Sequence, residues 1–396
     1  MISSEQALEL ILNSTQDFGV EEIPFLNSVG RVLRENIVAD RDFPPFNRVA
    51  MDGIAIDFKS FKKGQTAYTV EGVQPAGSPQ ETLQNTENCF EVMTGAVLPK
   101  NTNTVIRYED LKIENGVANI LIEDINESQN IHQQGSDKKE GVVLIPENTI
   151  ISVAEIGVLA TVGKVTVKVA KQPKVMILTT GDELVNVEQQ PLAHQIRKSN
   201  VFTLVSLLER IKIPAEIAHI TDDKSTLKQK VKQYLQDFDV LLCSGAVSKG
   251  KFDYLPEVFN ELGVKKLFHR IAQRPGKPFW FGETDYCKVF AFPGNPVSTF
   301  VNCLLYFYAW FYKSNQVEIL QETAILTEDV VFKPNLAYFL QVKLSDKFGH
   351  VLATPVKANG SGDLASLVQA DAFIQLPKTT DTVFKQGYNF PIFRYR

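Results

Sequence analysis

The chain has 396 residues, 44% of them hydrophobic and 22% charged, which is the composition of a soluble globular protein. At about 100–200 residues per domain, roughly two to four domains are expected. A formal net charge of −5 excludes a bulk basic field, so nucleic acid is not an expected partner, and any anion site must be a local cluster of cations.

The first residues, Met1-Ile-Ser-Ser-Glu-Gln-Ala7, carry neither a basic start nor an apolar run, so no signal peptide is expected. Residues 3–17 have helical spacing, with Ser3 or Ser4 as N-cap. Residues 22–42 read as extended and irregular. From 51 to about 145 short β-like segments alternate with turns, and Asn115-Gly116 marks a hairpin between 111–113 and 117–120. Helical spacing returns at 151–162, followed by a strand at 164–169 and a linker at 171–173. Residues 174–179 form a near-continuous apolar run, as in a strand buried on both faces. A helix at 200–211 (capped by Ser199 or Asn200), a strand at 215–220, a helix at 224–236 and strands at 239–243 and 288–292 come next. Helices at 255–263 and 297–311 complete a parallel, doubly wound α/β module. The apolar run at 300–312 is too short to span a bilayer and carries Asn302, so no membrane partner is expected and the cytoplasm is the expected location. From 322 onward the pattern is again β, with turns at 333–335, 346–349 and 359–362, which fits a small barrel or sandwich. The four cysteines, Cys89, Cys243, Cys287 and Cys303, form no CxxC pair and read as core thiols.

Open parallel sheets bind ligands beyond the carboxyl ends of their strands. Each of the expected strands there is followed by a polar stretch: Thr179-Thr-Gly-Asp-Glu183, Thr221-Asp-Asp223, Ser244-Gly-Ala-Val-Ser248 and Pro293-Gly-Asn-Pro-Val-Ser298. Free backbone N–H groups at such junctions attract phosphate. Arg270, Arg274, Lys277, Lys249 and Lys251 add cations near the glycine loops, implying a polyanionic, phosphorylated ligand. Asp182, Glu183 and Asp253 would repel that ligand unless a bridging Mg²⁺ intervened. Simpler roles are open to two of them: Asp253 as a helix N-cap and Asp182 as a turn residue. The five histidines lack metal-ligand spacing and Ser244 and Ser248 lack an evident base, so positioning and electrostatic stabilisation are expected rather than covalent catalysis. In the β-rich stretch, Asp52-Gly53 after a diproline and Thr94-Gly95 stand out, and both also fit ordinary turn chemistry.

The segments PPFNRVAMDG, MTGAVLPKNTNTVIRYED, LTTGDEL, SGAVSKGKFDY, RPGKP and FPGNPVS occur in that order. They resemble the signatures of the MoeA family, the molybdopterin molybdenumtransferases, to which the gephyrin E domain is related. The resemblance covers essentially the whole chain. It implies a central MoaB/MogA-like α/β domain at 172–316, a linker domain at 1–43 plus 138–171, a β-rich domain at 44–137 inserted in it, and a C-terminal β-barrel at 317–396. It implies an enzyme that binds adenylylated molybdopterin, joins molybdate to its dithiolene and releases AMP with Mg²⁺. It also implies a homodimer whose site is shared, with Asp52 and Thr94 contributed by the partner subunit. Asp182, Glu183, Ser244, Gly245, Ser248, Asp253, Arg270, Arg274, Lys277, Pro293 and Pro296 would line the pterin-nucleotide pocket. Asp52, Thr94, Glu183 and Asp253 are expected to be catalytic, and Asp182, Glu183 and Asp253 to hold the metal. Contacts to an apo-molybdoenzyme or to the preceding adenylyltransferase fit the same resemblance. The chain departs from the family pattern at Ala246, where glycine is usual, at Arg270 and Arg274, where lysine is usual, and at Gln341, where an arginine follows Phe-Leu. It is also one residue longer before Ala50. An adenylyltransferase and a non-catalytic dimeric scaffold or cofactor carrier are the alternative readings.

Overall fold

The computed structural model describes residues 1–221, 223–247 and 253–396. The chain divides into two compact units, one of residues 1–35, 148–156 and 166–396, the other of residues 36–147 and 157–165.

At the centre of the first unit is a six-stranded sheet. Its order is Ala215–Ile220, Val175–Thr180, Val240–Ser244, Lys288–Phe292, Trp280–Glu283 and Lys265–His269. The first four strands are mutually parallel. The last two run antiparallel to their neighbours, which makes the sheet mixed rather than parallel throughout. These two strands were not foreseen. Lys265-Lys-Leu-Phe-His269 opens with two lysines and Trp280-Phe-Gly-Glu283 is short, so neither carries a long apolar run, and their strand state comes from pairing against the core.

Residues of alternating parity point to opposite faces of a strand. Val175, Ile177, Val240, Leu242, Phe290 and Phe292 pack with helices Ser4–Leu12, Asn200–Arg210 and the long helix after Asn295. Met176, Leu178, Leu241, Cys243, Val289 and Ala291 pack with helices Lys224–Asp237 and Leu255–Glu261. Two covered faces account for the apolar run of Val175–Leu178 and for the burial of all six residues of Val175–Thr180. The helix expected at 297–311 begins at Pro296 and ends at Ser314, and it contains a π turn at Cys303–Phe307.

Helix Ser4–Leu12 opens with a capping box from Ser3 and Gln6. Near the C-terminus, Thr323–Leu326, Ala337–Lys347, His350–Pro355, Ala372–Leu376 and Asn389–Arg394 pair in a closed ring, a five-stranded barrel. Closure removes the free edges that a small open sheet would expose.

The second unit holds a six-stranded sheet in the order Thr104–Arg107, Gly53–Ile56, Cys89–Val92, Ala67–Gln74, Val117–Ile120 and Leu111–Glu114. Its last two strands form the Asn115-Gly116 hairpin, with φ of 50° and 76° at the turn. That is the left-handed pair a two-residue loop needs to match strand twist. All four cysteines are free and buried, and burial pushes the thiols of Cys89 and Cys287 up to about 12. They are core residues with no thiolate chemistry at neutral pH.

Candidate active site

Register places Thr179 opposite Ser244, and Ser244 opposite Phe292, so three parallel strands end level. The residues beyond them open a cleft of about 510 Å³ at the carboxyl edge. Thr180, Gly181, Ser244–Val247 and Gly294–Pro296 form its floor, and Glu183 and Asp253 stand on its walls. Asn200 ties the floor together. Its Nδ2 donates to Ser244 Oγ at 2.8 Å and to the Gly294 carbonyl at 2.7 Å. The Thr299 hydroxyl donates to the Pro293 carbonyl at 2.6 Å, fixing the third loop at the start of its helix. Glu183 folds back over the backbone. A Cβ at residue 181 would lie 2.6 Å from Glu183 Oε2, and Gly181 has φ of +128°, so only glycine lets the carboxylate lie there.

A two-residue parallel ladder joins Leu184–Val185 to Ile196–Arg197. It carries Arg197 and Lys198 to the cleft wall, with Lys198 Nζ donating to Asn186 Oδ1 at 2.9 Å. Sequence reasoning missed these two cations and Asn200. Arg197 and Lys198 lie in a stretch with no strong periodicity, and only the ladder sets which way it turns. Asn200 stands at an expected helix start, yet its side chain bonds across the cleft instead of capping. Ser199 occupies the N-cap position without a side-chain bond.

In the second unit the Thr94 N–H donates to Asp52 Oδ1 at 2.6 Å. That bond, with the Thr94 side chain, holds the Asp52 carboxyl below the usual carboxylate range. The Tyr108 N–H donates to the Asp52 carbonyl at 3.1 Å, and the Tyr108 hydroxyl donates to Glu91 Oε1 at 2.5 Å. Burial first, then Glu91, pushes the Tyr108 phenol up.

Residues 176–308 match the family model described as a probable molybdopterin binding domain. Residues 2–163 match the MoeA N-terminal region (domain I and II), and residues 323–392 match the MoeA C-terminal region (domain IV). A molybdopterin molybdenumtransferase of Synechocystis sp. is 38% identical over 400 residues, with all of both chains covered. The chain belongs to the molybdopterin molybdenumtransferase family. The Bacillus subtilis molybdopterin molybdenumtransferase is 29% identical, covering 96% of this chain and 91% of its own. The solved structure of a molybdopterin biosynthesis moeA protein from Pyrococcus horikoshii OT3 superposes with a TM-score of 0.86 at 28% identity, each chain covered in full.

Of the residues that the molybdopterin molybdenumtransferase resemblance pointed to, Glu183, Ser244, Gly245, Asp253 and Pro296 line the cleft. Asp182 and Pro293 neighbour it in sequence but do not line it, and Arg270, Arg274 and Lys277 do not line it either. Ser248, with Lys249 and Lys251, lies outside the described residues. Arg274 instead lines a smaller cavity of about 150 Å³ together with Tyr338 and Gln341 of the barrel. Gln341 is buried, and its Oε1 has no hydrogen-bond partner. The five cations expected in one cluster therefore do not all face one cleft. The Arg270 N–H donates to the Phe279 carbonyl at 2.8 Å and the Ile271 N–H to the Lys277 carbonyl at 3.0 Å, which folds the loop into a compact unit of its own. Ala246 has φ of 53°, a left-handed conformation that costs a residue with a Cβ about 1 kcal/mol or more. Among the described residues no three His, Cys, Asp or Glu side chains gather as a metal cluster, so the expected trio of carboxylates reduces to Glu183 and Asp253 on one cleft. Among the described residues no helix is long and apolar enough to cross a membrane.

Proposed function

We propose that this chain inserts molybdate into adenylylated molybdopterin and releases AMP, completing the molybdenum cofactor in the cytoplasm. The observation that carries the reading is the cleft at the carboxyl edge, lined by three strand-to-helix junctions, two of which the Asn200 amide ties together. Backbone N–H groups at such junctions receive phosphate oxygens without any base or nucleophile. Arg197 and Lys198 supply the positive charge on one wall. The flanking matches to MoeA N- and C-terminal regions favour this reaction over adenylyl transfer, which the central domain alone would also suit.

Glu183 and Asp253 offer hard carboxylate oxygens and no sulfur or imidazole, which is the donor chemistry Mg²⁺ prefers. These two carboxylates would hold the ion through their oxygens. When bound, the ion neutralises phosphate charge as AMP leaves. The chain's own residues hold the phosphates on the Ser244–Val247 and Gly294–Pro296 backbone, orient them through Asn200, and shield the carboxylates from them with Lys198.

The working unit of this proposal is a homodimer in which Asp52 and Thr94 of one protomer complete the cleft of the other. Light scattering after gel filtration is expected to give about twice 44.3 kDa, and a stable monomer would count against the shared site. The reaction is tested by adding adenylylated molybdopterin, molybdate and Mg²⁺ to the purified protein. AMP release that depends on molybdate, with product able to activate an apo-molybdoenzyme, is expected. ATP consumption on unmodified molybdopterin would point to adenylyl transfer instead, and substrate binding without AMP release to a carrier.

A further inference from the structure

Beneath the 270–278 loop lies a polar network that no expected site residue belongs to. Gln273 and Asn302 are fully buried and Tyr306 is 2% exposed. Gln273 Nε2 donates to Asn302 Oδ1 at 2.7 Å and to the Pro275 carbonyl at 2.8 Å. The Tyr306 hydroxyl donates to Gln273 Oε1 at 2.5 Å, and Asn302 Nδ2 donates to the Gly276 carbonyl at 3.3 Å. Both carbonyls belong to the turn between Arg274 and Lys277, whose side chains are exposed while Gly276 is buried. A Cβ at Gly276 would sit 2.5 Å from Asn302 Oδ1, and its φ is +94°, so the turn rests directly on the network.

Asn302 and Tyr306, four residues apart on one helix, share the face toward the loop, and a π turn falls between and after them. Asn302 ends a regular helical segment and the π turn starts at the next residue, with the Tyr308 N–H donating to the Cys303 carbonyl five residues back. An inserted residue of this kind rotates the downstream part of a helix relative to the upstream part, and such turns recur at functional sites. Burying three polar side chains in an aromatic core is costly unless every bond is made. A core of this size could have been filled with apolar groups, so the network's specific product is a turn of one shape.

We propose that Gln273, Asn302 and Tyr306 are positioning residues that fix the turn carrying Arg274 and Lys277, so that these two cations meet the anionic substrate at a set place. The inference rests on the proposed reaction and adds to it this loop, outside the cleft, as a second anion-binding element, with Arg274 on the cavity of about 150 Å³. The network acts through backbone carbonyls, so its effect on the reaction passes through Arg274 and Lys277.

The test is a cycle of variants in the AMP-release assay, with adenylylated molybdopterin varied. Lys277→Gln alone is expected to raise KM about tenfold, the loss of one charge-assisted contact. Tyr306→Phe, which leaves Gln273 Oε1 without its donor, is expected to raise KM several-fold with kcat within about twofold. Added to the Arg274→Gln/Lys277→Gln pair, Tyr306→Phe is expected to raise KM no further, because a turn already without both cations has nothing left to misplace. Gln273→Met, which keeps the side-chain shape and removes three bonds, is the second variant should Tyr306→Phe fail to fold, and it is expected to behave alike. A KM unchanged in both folded variants, or effects that multiply with the Arg274→Gln/Lys277→Gln pair, would overturn the positioning role. If Lys277→Gln and Arg274→Gln both leave KM unchanged, it is the anion-binding reading of the loop that fails, whatever the network variants do.

Discussion

The first unit and the second each hold acidic residues expected to act, but they hold them differently. Asp52 has its oxygen engaged by a short bond from the Thr94 N–H, and the strand Gly53–Ile56 begins at the next residue. Glu183 and Asp253 stand on the walls of a cleft whose floor is backbone and hydroxyl, with Glu183 leaning over a glycine. Asp52 is held by the Thr94 N–H just before a strand, whereas Glu183 and Asp253 line a cleft. Under the proposed reaction, Asp52 would present a well-placed negative charge, and the cleft pair would share a cation with phosphate oxygens.

The largest effect is expected at the cleft. Asp253→Ala should reduce AMP release by about a hundredfold or more while leaving the melting temperature near that of the parent, because an electrostatic contributor to the reacting site is lost and no core is disturbed. Activity comparable to the parent would break the assignment of the cleft. Asp52→Ala should also inactivate, but the two inactive proteins mixed, unfolded and refolded together should recover a measurable fraction of activity. Only mixed dimers then contain an intact shared site, so failure of this rescue would separate the two regions functionally. Lys198→Ala should raise the substrate KM about tenfold with little change in kcat, as removal of one cation from a phosphate site predicts.

Three smaller effects sharpen the comparison through stability. Ala246→Gly should raise stability by about 1 kcal/mol, since it relieves a left-handed Cβ on the cleft floor, and chemical denaturation will read it. The Asp52 carboxyl lies below its ordinary range in the folded state, so its bond to Thr94 stabilises above that range and is lost as pH falls through the folded value. The same sign applies far from either site. Lys224 and Lys228, by hydrogen bonds at 2.8 and 2.6 Å, hold Glu261 down to about 2. Its advantage over Glu261→Gln should be full above pH 4.5 and gone below about pH 2. The shift is expected to be the smallest of the set, since these pairs are solvent-exposed. Melting curves taken between those pH values will measure it.

Much of the candidate site was legible because βα junctions are written in short local strings. Thr179-Thr-Gly-Asp-Glu183, Ser244-Gly-Ala-Val247 and Pro293-Gly-Asn-Pro296 each come directly after an apolar run, and all three sit at the cleft. The cations were harder. Lys and Arg have long side chains whose direction depends on the backbone beneath them, so Arg274 went to a second cavity while Arg197 and Lys198, in a stretch with no pattern, came to the cleft. The strands Lys265–His269 and Trp280–Glu283 were equally hidden, because an antiparallel edge pair needs no apolar run of its own.

Local chemistry determined the helices with their caps, the Asn115-Gly116 hairpin, the twice-covered strands and the polar junctions at their ends. These depend on a few neighbouring residues and on a period of two or 3.6. What only the tertiary structure decided was which junctions share a floor through Asn200, where each cation points, and how Gln273, Asn302 and Tyr306 meet under one turn. Those arrangements join residues far apart in sequence, and a buried hydrogen bond is set by distance and angle in three dimensions, which no spacing along the chain encodes.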